Sequence, residues 1–241
     1  WRQSKMTAID IAFNVFSDTP IGKDPDKFSA RLRDYHRQLW SKPLPNGGIL
    51  ELDENTPYVL SNQSIVGEFS LSSDAITHTY RSTKKMSHII SELPTEEMES
   101  FFALASTIGA YIIFPSHRID GKMTINAARG FNQKLNDRFD LALECIRRFY
   151  LDEDSPLTDV LKRYSDFFGL FGTFKGYIDF FLLQDLVEDD CQHIKFWHPF
   201  VSFKHTPLPQ SMDEYLAYKQ KCMNFISGRN QRIKNYSDSW L

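Results

Sequence analysis

The chain changes its hydrophobic period after Phe114. Up to that residue short extended apolar runs alternate with two helical stretches, the runs being Ile9 to Phe16, Ile49-Leu50-Glu51-Leu52, Tyr58-Val59-Leu60, Ser64 to Leu71 and Tyr111-Ile112-Ile113-Phe114. Each run is punctuated by Asn, Asp, Pro or Gly. Beyond it the apolar residues recur at helical spacing. The partition predicts an α+β fold: a single domain with a modest mixed or antiparallel sheet from a strand-rich part, residues 1–120, and a helical part, residues 121–241. No linker long or polar enough to separate two domains interrupts the 241 residues, of which 41% are hydrophobic.

Capping signals place the helices. Asp24-Pro25 reads as an N-cap and first-turn proline, opening a helix to about Trp40 with Phe28, Leu32, Tyr35 or His36, and Leu39 on its buried stripe. Ser41 to Gly48 stops it. Thr95, with Glu96, Glu97 and Glu99 in the first turn, opens a helix that fades near Gly109. In the second half, Asn132 or Asn136 opens a helix to Tyr150, Ser155-Pro156 one ending near Gly169 to Gly172, and Thr173 one to about Val187. Lys195-Phe196-Trp197 reads as a further strand. Ser211 with Glu214 is a capping box for a last helix reaching Tyr236.

Twenty Phe, ten Tyr and four Trp are an unusual load, clustered as Phe167-Phe168, Phe180-Phe181 and Phe200 with Phe203. Such rings build either a large-ring core or a base-stacking platform. Their helical spacing beside Leu and Ile favours the core. A net charge of −3 and a pI near 6.2 argue against coating nucleic acid through the overall field, though a local basic groove is compatible with both. No apolar run approaches a membrane span, and no charged-then-apolar secretion signal opens the chain, so a cytoplasmic location is expected. Cys145, Cys191 and Cys222 are odd in number and widely spaced, which predicts reduced thiols.

No glycine-rich phosphate loop, Gly-x-Ser-x-Gly elbow or zinc-protease helix is present. Cys191, His193 and His198 are close enough to share a metal but lack a second ligand pair, and His36, His78, His88, His117 and His205 are scattered, so no metal site is expected. The segment Asp137 to Tyr150 is the most informative. At 100° per residue, Phe139, Ala142, Leu143, Ile146, Phe149 and Tyr150 share one face, and Asp137, Asp140, Glu144, Arg147 and Arg148 the other. Adjacent carboxylates there can serve as acid and base or hold a metal. The simpler role is a solvated stripe in which Glu144 pairs with Arg148. Arg138 falls inside the apolar arc and must find a carboxylate, carbonyls or a phosphate. Upstream, Thr124 to Gly130 reads as a polar loop leading to a helix N-terminus. There Asn126 can orient a ligand and Arg129 can fork onto a phosphate.

Arg229-Asn230, with Lys234 and Tyr236, resembles the helix-end signature of the HEPN ribonucleases. Three residues rather than four separate Asn230 from Lys234, which stands where the family's histidine would. A broader resemblance rests on several stretches taken in order. These are Asp18-Thr19-Pro20 with Gly22 to Asp26, Leu39 to Gly47, Leu71-Ser72-Ser73-Asp74, Thr124 to Gly130, Asp137 to Tyr150, Phe180 to Val187, and Arg229-Asn230. Together they resemble a bacterial family catalogued only as a domain of unknown function. The resemblance implies one domain of conserved length and carries no catalytic assignment.

Asp18, Lys42, Asn46, Asp74, Asn126 and Arg129 are placed in turns, where functional groups concentrate. The resulting expectation is an enzyme acting on a phosphate-bearing ligand, a nucleotide or RNA, as in a toxin or phage-defence effector. Arg129 and Arg138 hold phosphate, Asn126, Lys42, Asn46 and Asp18 bind the ligand, and Asp140 or Glu144 acts as base, with Mg²⁺ a compatible cofactor. The opposing expectation is a non-catalytic subunit that binds a partner or ligand and whose charges form structural ion pairs.

Overall fold

The computed structural model describes residues 8–64, 67–76 and 86–240; His78 and part of the expected strand Ser64 to Leu71 lie outside them. The first expected strand does not form. Asp10 Oδ1 accepts from Ala12 N at 3.0 Å and Asn14 Oδ1 from Phe16 N at 2.9 Å, so side chains take the donors a sheet would use, and Val15–Ser17 closes as a 3₁₀ turn. Asp24 caps a helix as read, with Pro25 at its first position, but α1 spans only Pro25–Phe28. Ser29 ends it by acting as the next cap: its backbone is extended and its Oγ accepts from Leu32 N at 3.1 Å, starting α2, Ala30–Trp40. The buried side of α2 carries Leu32, Tyr35, His36, Leu39 and Trp40.

The sheet is antiparallel throughout, in the order β1 (Asp53–Thr56), β2 (Val59–Ser64), β3 (Gly67–Ala75), β4 (Tyr111–Pro115). Leu71 pairs with Pro115 and Ala75 with Tyr111. Ile49 to Leu52 joins none of these strands: it makes the Pro43–Ile49 bridge, a backbone bond to Lys42 O and bonds with the side chains of Ser41 and Asn62, and Leu50 and Leu52 are buried. Between β3 and β4 the chain forms α3 (Ser87–Ile90) and α4 (Thr95–Ala105). Every residue of β4 is buried, as expected of a strand covered on both faces.

The helical half holds α5 (Ile125–Phe131), α6 (Phe139–Tyr150), α7 (Thr158–Arg163), α8 (Ser165–Gly169), α9 (Phe174–Phe180) and α10 (Met212–Asp238). Three readings are corrected here. The expected loop at Thr124 to Gly130 is the helix α5, capped by Thr124, whose Oγ1 accepts from Ala127 N at 3.4 Å. The expected start of α6 at Asn132 or Asn136 is a left-handed turn, with Asn136 at φ 44° and Asp137 at φ 63°, a conformation these two residue types tolerate. Lys195 to Trp197 is not a strand; only Val187 and Ile194 bridge. Ser211 caps α10 as read, but Glu214 returns to Gln210 N at 2.7 Å rather than to the cap itself.

Most rings form the core. Phe167, Phe168, Phe171, Tyr177, Phe180 and Phe181 are buried, with neighbouring centroids 5.0–5.4 Å apart across α8 and α9. Fully burying each contributes about 1.5–3 kcal/mol, so this cluster anchors the helical half. Phe69 of β3 meets Phe167, and Phe114 of β4 meets Phe139, which joins the sheet to α8 and α6.

Candidate functional site

Four elements converge on Arg129. Helix α5 projects its guanidinium, almost wholly buried at 1% exposure, between the end of β3 and the turn before α6. Its Nη2 lies 3.1 and 3.0 Å from the two oxygens of Asp74 and donates to Ala75 O at 2.7 Å. Its Nε lies 2.9 Å from Asp137 Oδ1. The left-handed backbone at Asn136 and Asp137 turns that carboxylate inward. Helix α1 packs on β3 and adds Asp26, whose electrostatic neighbours include Asp74, Asp24, Arg129 and Asp137. Asp26 is half-buried as a residue, but its Oδ1 is enclosed and accepts no hydrogen bond among the described residues; neither is Arg129 Nη1 satisfied there.

Three carboxylates around one guanidinium cannot all ionise cheaply in a buried setting. Burial pushes the Asp74 carboxyl up to about 7, with Asp137 and Asp24 adding to the rise and Arg129 opposing it. Burial first, then the charge of Asp74, raises Asp26 well above the usual carboxylate range. Burial thus favours the protonated form at Asp74 and Asp26, next to the guanidinium of Arg129.

The residues singled out from sequence distribute differently. Arg129 is central, yet its charge is met by Asp74 and Asp137 instead of an open phosphate site. Asn126, one turn earlier on α5, is half-buried and its side chain makes no hydrogen bond among the described residues. Arg138 is buried and grips Asp140: Nε donates to Oδ1 at 3.0 Å, Nη2 donates to Oδ2 and to His198 O, and Nη1 donates to Pro207 O at 2.7 Å. Asp140 also accepts from Trp197 N at 2.9 Å and is fully enclosed. Glu144 takes Arg147 and Arg148; burial opposes its ionisation, and their hydrogen bonds hold its carboxyl below the usual range nonetheless. Thus Asp140 and Glu144, expected as base or metal ligand, are ion-paired within the fold; the expected Glu144–Arg148 pair forms, but on a buried rather than a solvated stripe. Segment 197–207 covers the face on which they stand.

Asp18 accepts from Arg31 N at 2.8 Å, tying the turn after Val15–Ser17 to the start of α2. Lys42 sits with its Nζ 5.0 Å from the Trp40 ring and 4.6 Å from those of Phe180 and Tyr236. Burial and the nearby Arg229 lower its ammonium to about 7. Asn46 donates to Gly169 O at 3.1 Å at the edge of an open cavity of about 860 Å³ beside Leu44, Ile49 and Leu170. Asp74 is a strand residue of β3 opposite Ile112 rather than a turn residue. Asp74 thus joins Arg129, whereas Asp18, Lys42 and Asn46 make no hydrogen bond or ion pair with it among the described residues. Among the described residues no group of three or more His, Cys, Asp or Glu side chains is arranged to hold a metal ion, and His193 pairs with Asp190.

Arg229 and Asn230 are structural. Arg229 donates to the carbonyls of Phe181, Gly109 and Tyr111, and Asn230 bonds Gly109 N and Thr107 Oγ1, clamping α10 to the start of β4. Gly109 is required there, because a Cβ would lie 2.6 Å from Asn230 Oδ1 and 2.7 Å from Ile226 O. Sequence reasoning set Asp137 on the polar face of α6 rather than against Arg129, and it missed Asp26. The Asp24-Pro25-Asp26 motif was read for its cap alone, and no local signal reports that a carboxylate two residues into a four-residue helix faces a strand 48 positions away.

The fold and the cluster define an α+β protein built round an enclosed carboxylate–guanidinium centre. Its residues 9–233 match DUF6994, a family of unknown function, and the chain belongs to that family. No similarity to HEPN ribonucleases accompanies the match. Comparison with curated proteins and with solved structures finds no significant match. No described helix is long and apolar enough to cross a membrane.

Proposed function

We propose that the chain is an enzyme whose acid–base centre is the Asp26–Asp74 pair, oriented by Arg129. It acts on a phosphate-bearing ligand, a nucleotide or RNA, whose phosphate stays outside the cluster. The observation that carries this reading is the enclosed Asp26 Oδ1, without a hydrogen-bond partner among the described residues, beside an Asp74 carboxyl raised to about 7. A buried unpaired polar atom is costly and is relieved when a ligand donor or a proton occupies it. A carboxyl poised near neutral pH supplies both acid and base forms. Arg129 already meets Asp74 and Asp137, which supports a phosphate held outside the cluster. An activity on RNA would suit a toxin or phage-defence effector.

A non-catalytic binding role is the second reading. It is supported by Arg138–Asp140 and by Glu144 with its two arginines, whose charges are consumed within the chain.

The test is incubation of the purified protein with nucleotides, single-stranded RNA and a small-molecule extract, with and without Mg²⁺, followed by mass spectrometry. The expected result is conversion of one component at a rate that falls about a hundredfold or more in Asp74→Asn. No conversion, or equal conversion by the variant, overturns the acid–base reading.

A further inference from the structure

Helix α1 faces two ways. Asp26 turns toward the cluster, while Lys27 and Phe28 lie toward the β1–β2 turn. The Phe28 ring meets Tyr58 with centroids 5.1 Å apart and planes at 48°. Lys23 and Lys27 each place Nζ 5.5 Å from the Phe28 centroid, Lys27 also lies 5.8 Å from that of Tyr58, and the Arg33 guanidinium lies 5.2 Å from Tyr58.

Tyr58 is held in an unfavourable conformation. It is the second residue of the Pro57-Tyr58 turn that joins Thr56 to Val59, and its φ is 68°, a position where glycine or asparagine is preferred. A bulky residue persists in such a place only when its surroundings impose it, and such strain concentrates where a side chain has a task. Glu54 imposes it here: Oε1 accepts from Tyr58 N at 3.2 Å and from Arg33 Nε at 3.0 Å. Arg33 Nη1 in turn donates to Lys27 O and to Ser29 O at the break between α1 and α2. The ring is thereby fixed beside Phe28 yet remains 42% exposed.

The charges on this face are unevenly spent. Glu54 is paired with Arg33, and Asp24 accepts from Asp26 N as the cap of α1. Lys23 and Lys27 are exposed and form no salt bridge among the described residues, whereas Arg31 lies over the Phe13 ring. Asp24 and, on the neighbouring β1, Asp53 are exposed acids of the same elements.

We propose that Phe28 and Tyr58, flanked by Lys23 and Lys27, form a platform for single-stranded nucleic acid. Bases stack on the rings, and the cations hold the adjoining phosphates. The proposal deepens the reading of a phosphate-bearing ligand and rests on it for the identity of the site. A strand lying here runs past the helix that carries Asp26 into the acid cluster. Duplex is excluded by the same chemistry, because paired bases offer no free face to the rings.

Fluorescence anisotropy of the full chain with an end-labelled 12-nucleotide single strand, as RNA and as DNA, and with the annealed duplex, tests it. The expected result is single-strand binding that weakens from 50 to 200 mM salt and exceeds duplex binding. Tyr58→Gly should lose about tenfold or more in affinity while keeping or raising the melting temperature, since glycine relieves the positive φ. Lys27→Glu should weaken binding and flatten its salt dependence. Equal affinity for duplex, unaltered binding by Tyr58→Gly, or no binding by the wild type at 50 mM salt overturns the platform. Competition by an acidic polypeptide as strong as that by the strand also overturns it, because charge alone would then account for binding. Strand binding by a protein that converts nothing leaves the platform standing and removes the acid–base reading; conversion of a mononucleotide without strand binding does the reverse.

Discussion

Arg138 and Asp140 stand two residues apart at the start of α6 and close a buried fork, Nε to Oδ1 at 3.0 Å, with 1% and 0% of their side chains exposed. The fork also gathers His198 O, Pro207 O and Trp197 N, so it fastens the segment between α9 and α10 to α6. Arg138→Met strands Asp140 and should cost about 3–5 kcal/mol in chemical denaturation, the range for breaking a buried pair. The double variant Arg138→Met/Asp140→Leu should recover part of that loss. A single variant as stable as the wild type would contradict the assignment.

Arg129 carries a similar expectation. Its neighbours Asp74 and Asp137 are held by its charge, so Arg129→Ala leaves Asp74 buried without a counter-charge. A loss of about 3–5 kcal/mol is expected, with the variant partly rescued by Asp74→Asn. Unchanged melting of Arg129→Ala would contradict this structural role.

Two buried groups oppose one another in pH. Trp40 Nε1 donates to His36 Nδ1 at 2.9 Å, and the other ring nitrogen meets Ser73 Oγ at 3.0 Å. Burial, with Arg229 nearby, lowers His36 from its usual 6.5 to about 3. Between those values the unfolded chain binds a proton that the folded chain refuses, so the His36 contribution is present above pH 6.5 and is lost as pH falls toward 3. Asp74 runs the other way: its folded value is raised from 3.8 to about 7, so its contribution is present below pH 3.8 and is lost as pH rises through 7. Each slope is at most about 1.4 kcal/mol per pH unit. In Asp74→Asn the His36 slope stands uncompensated, and stability measured from pH 6.5 down to 4 should fall more steeply than in the wild type. Parallel profiles would show that Asp74 is already ionised in the folded state.

The thiols should react unequally. Cys145, Cys191 and Cys222 are free; burial pushes the Cys145 thiol up to about 12 and Cys222 well above its usual value, whereas Cys191 is only partly covered. A thiol reagent at neutral pH should therefore modify one cysteine per native chain and three after denaturation. An intact mass two daltons low that reduction corrects would instead reveal a disulfide.

Much of this protein was written locally. The caps at Asp24, Thr173 and Ser211, the strand Tyr111 to Phe114, the apolar face of α6 and the inward direction of Arg138 follow from neighbouring residues, because capping, proline geometry and helical period act over a few positions. The antiparallel order of the sheet and the partners of the charges do not. Arg129 meets Asp74 across 55 positions, and Asp140 is buried because residues 197–207 return over a face that α6 by itself would leave to solvent. A helix period distinguishes apolar from polar faces, but whether a polar face meets water or a returning segment depends on contacts between distant parts of the chain. For that reason the acids of α6 read from sequence as a solvated stripe, whereas the enclosed carboxylates around Arg129 emerged only when α1, β3, α5 and the turn before α6 were brought together.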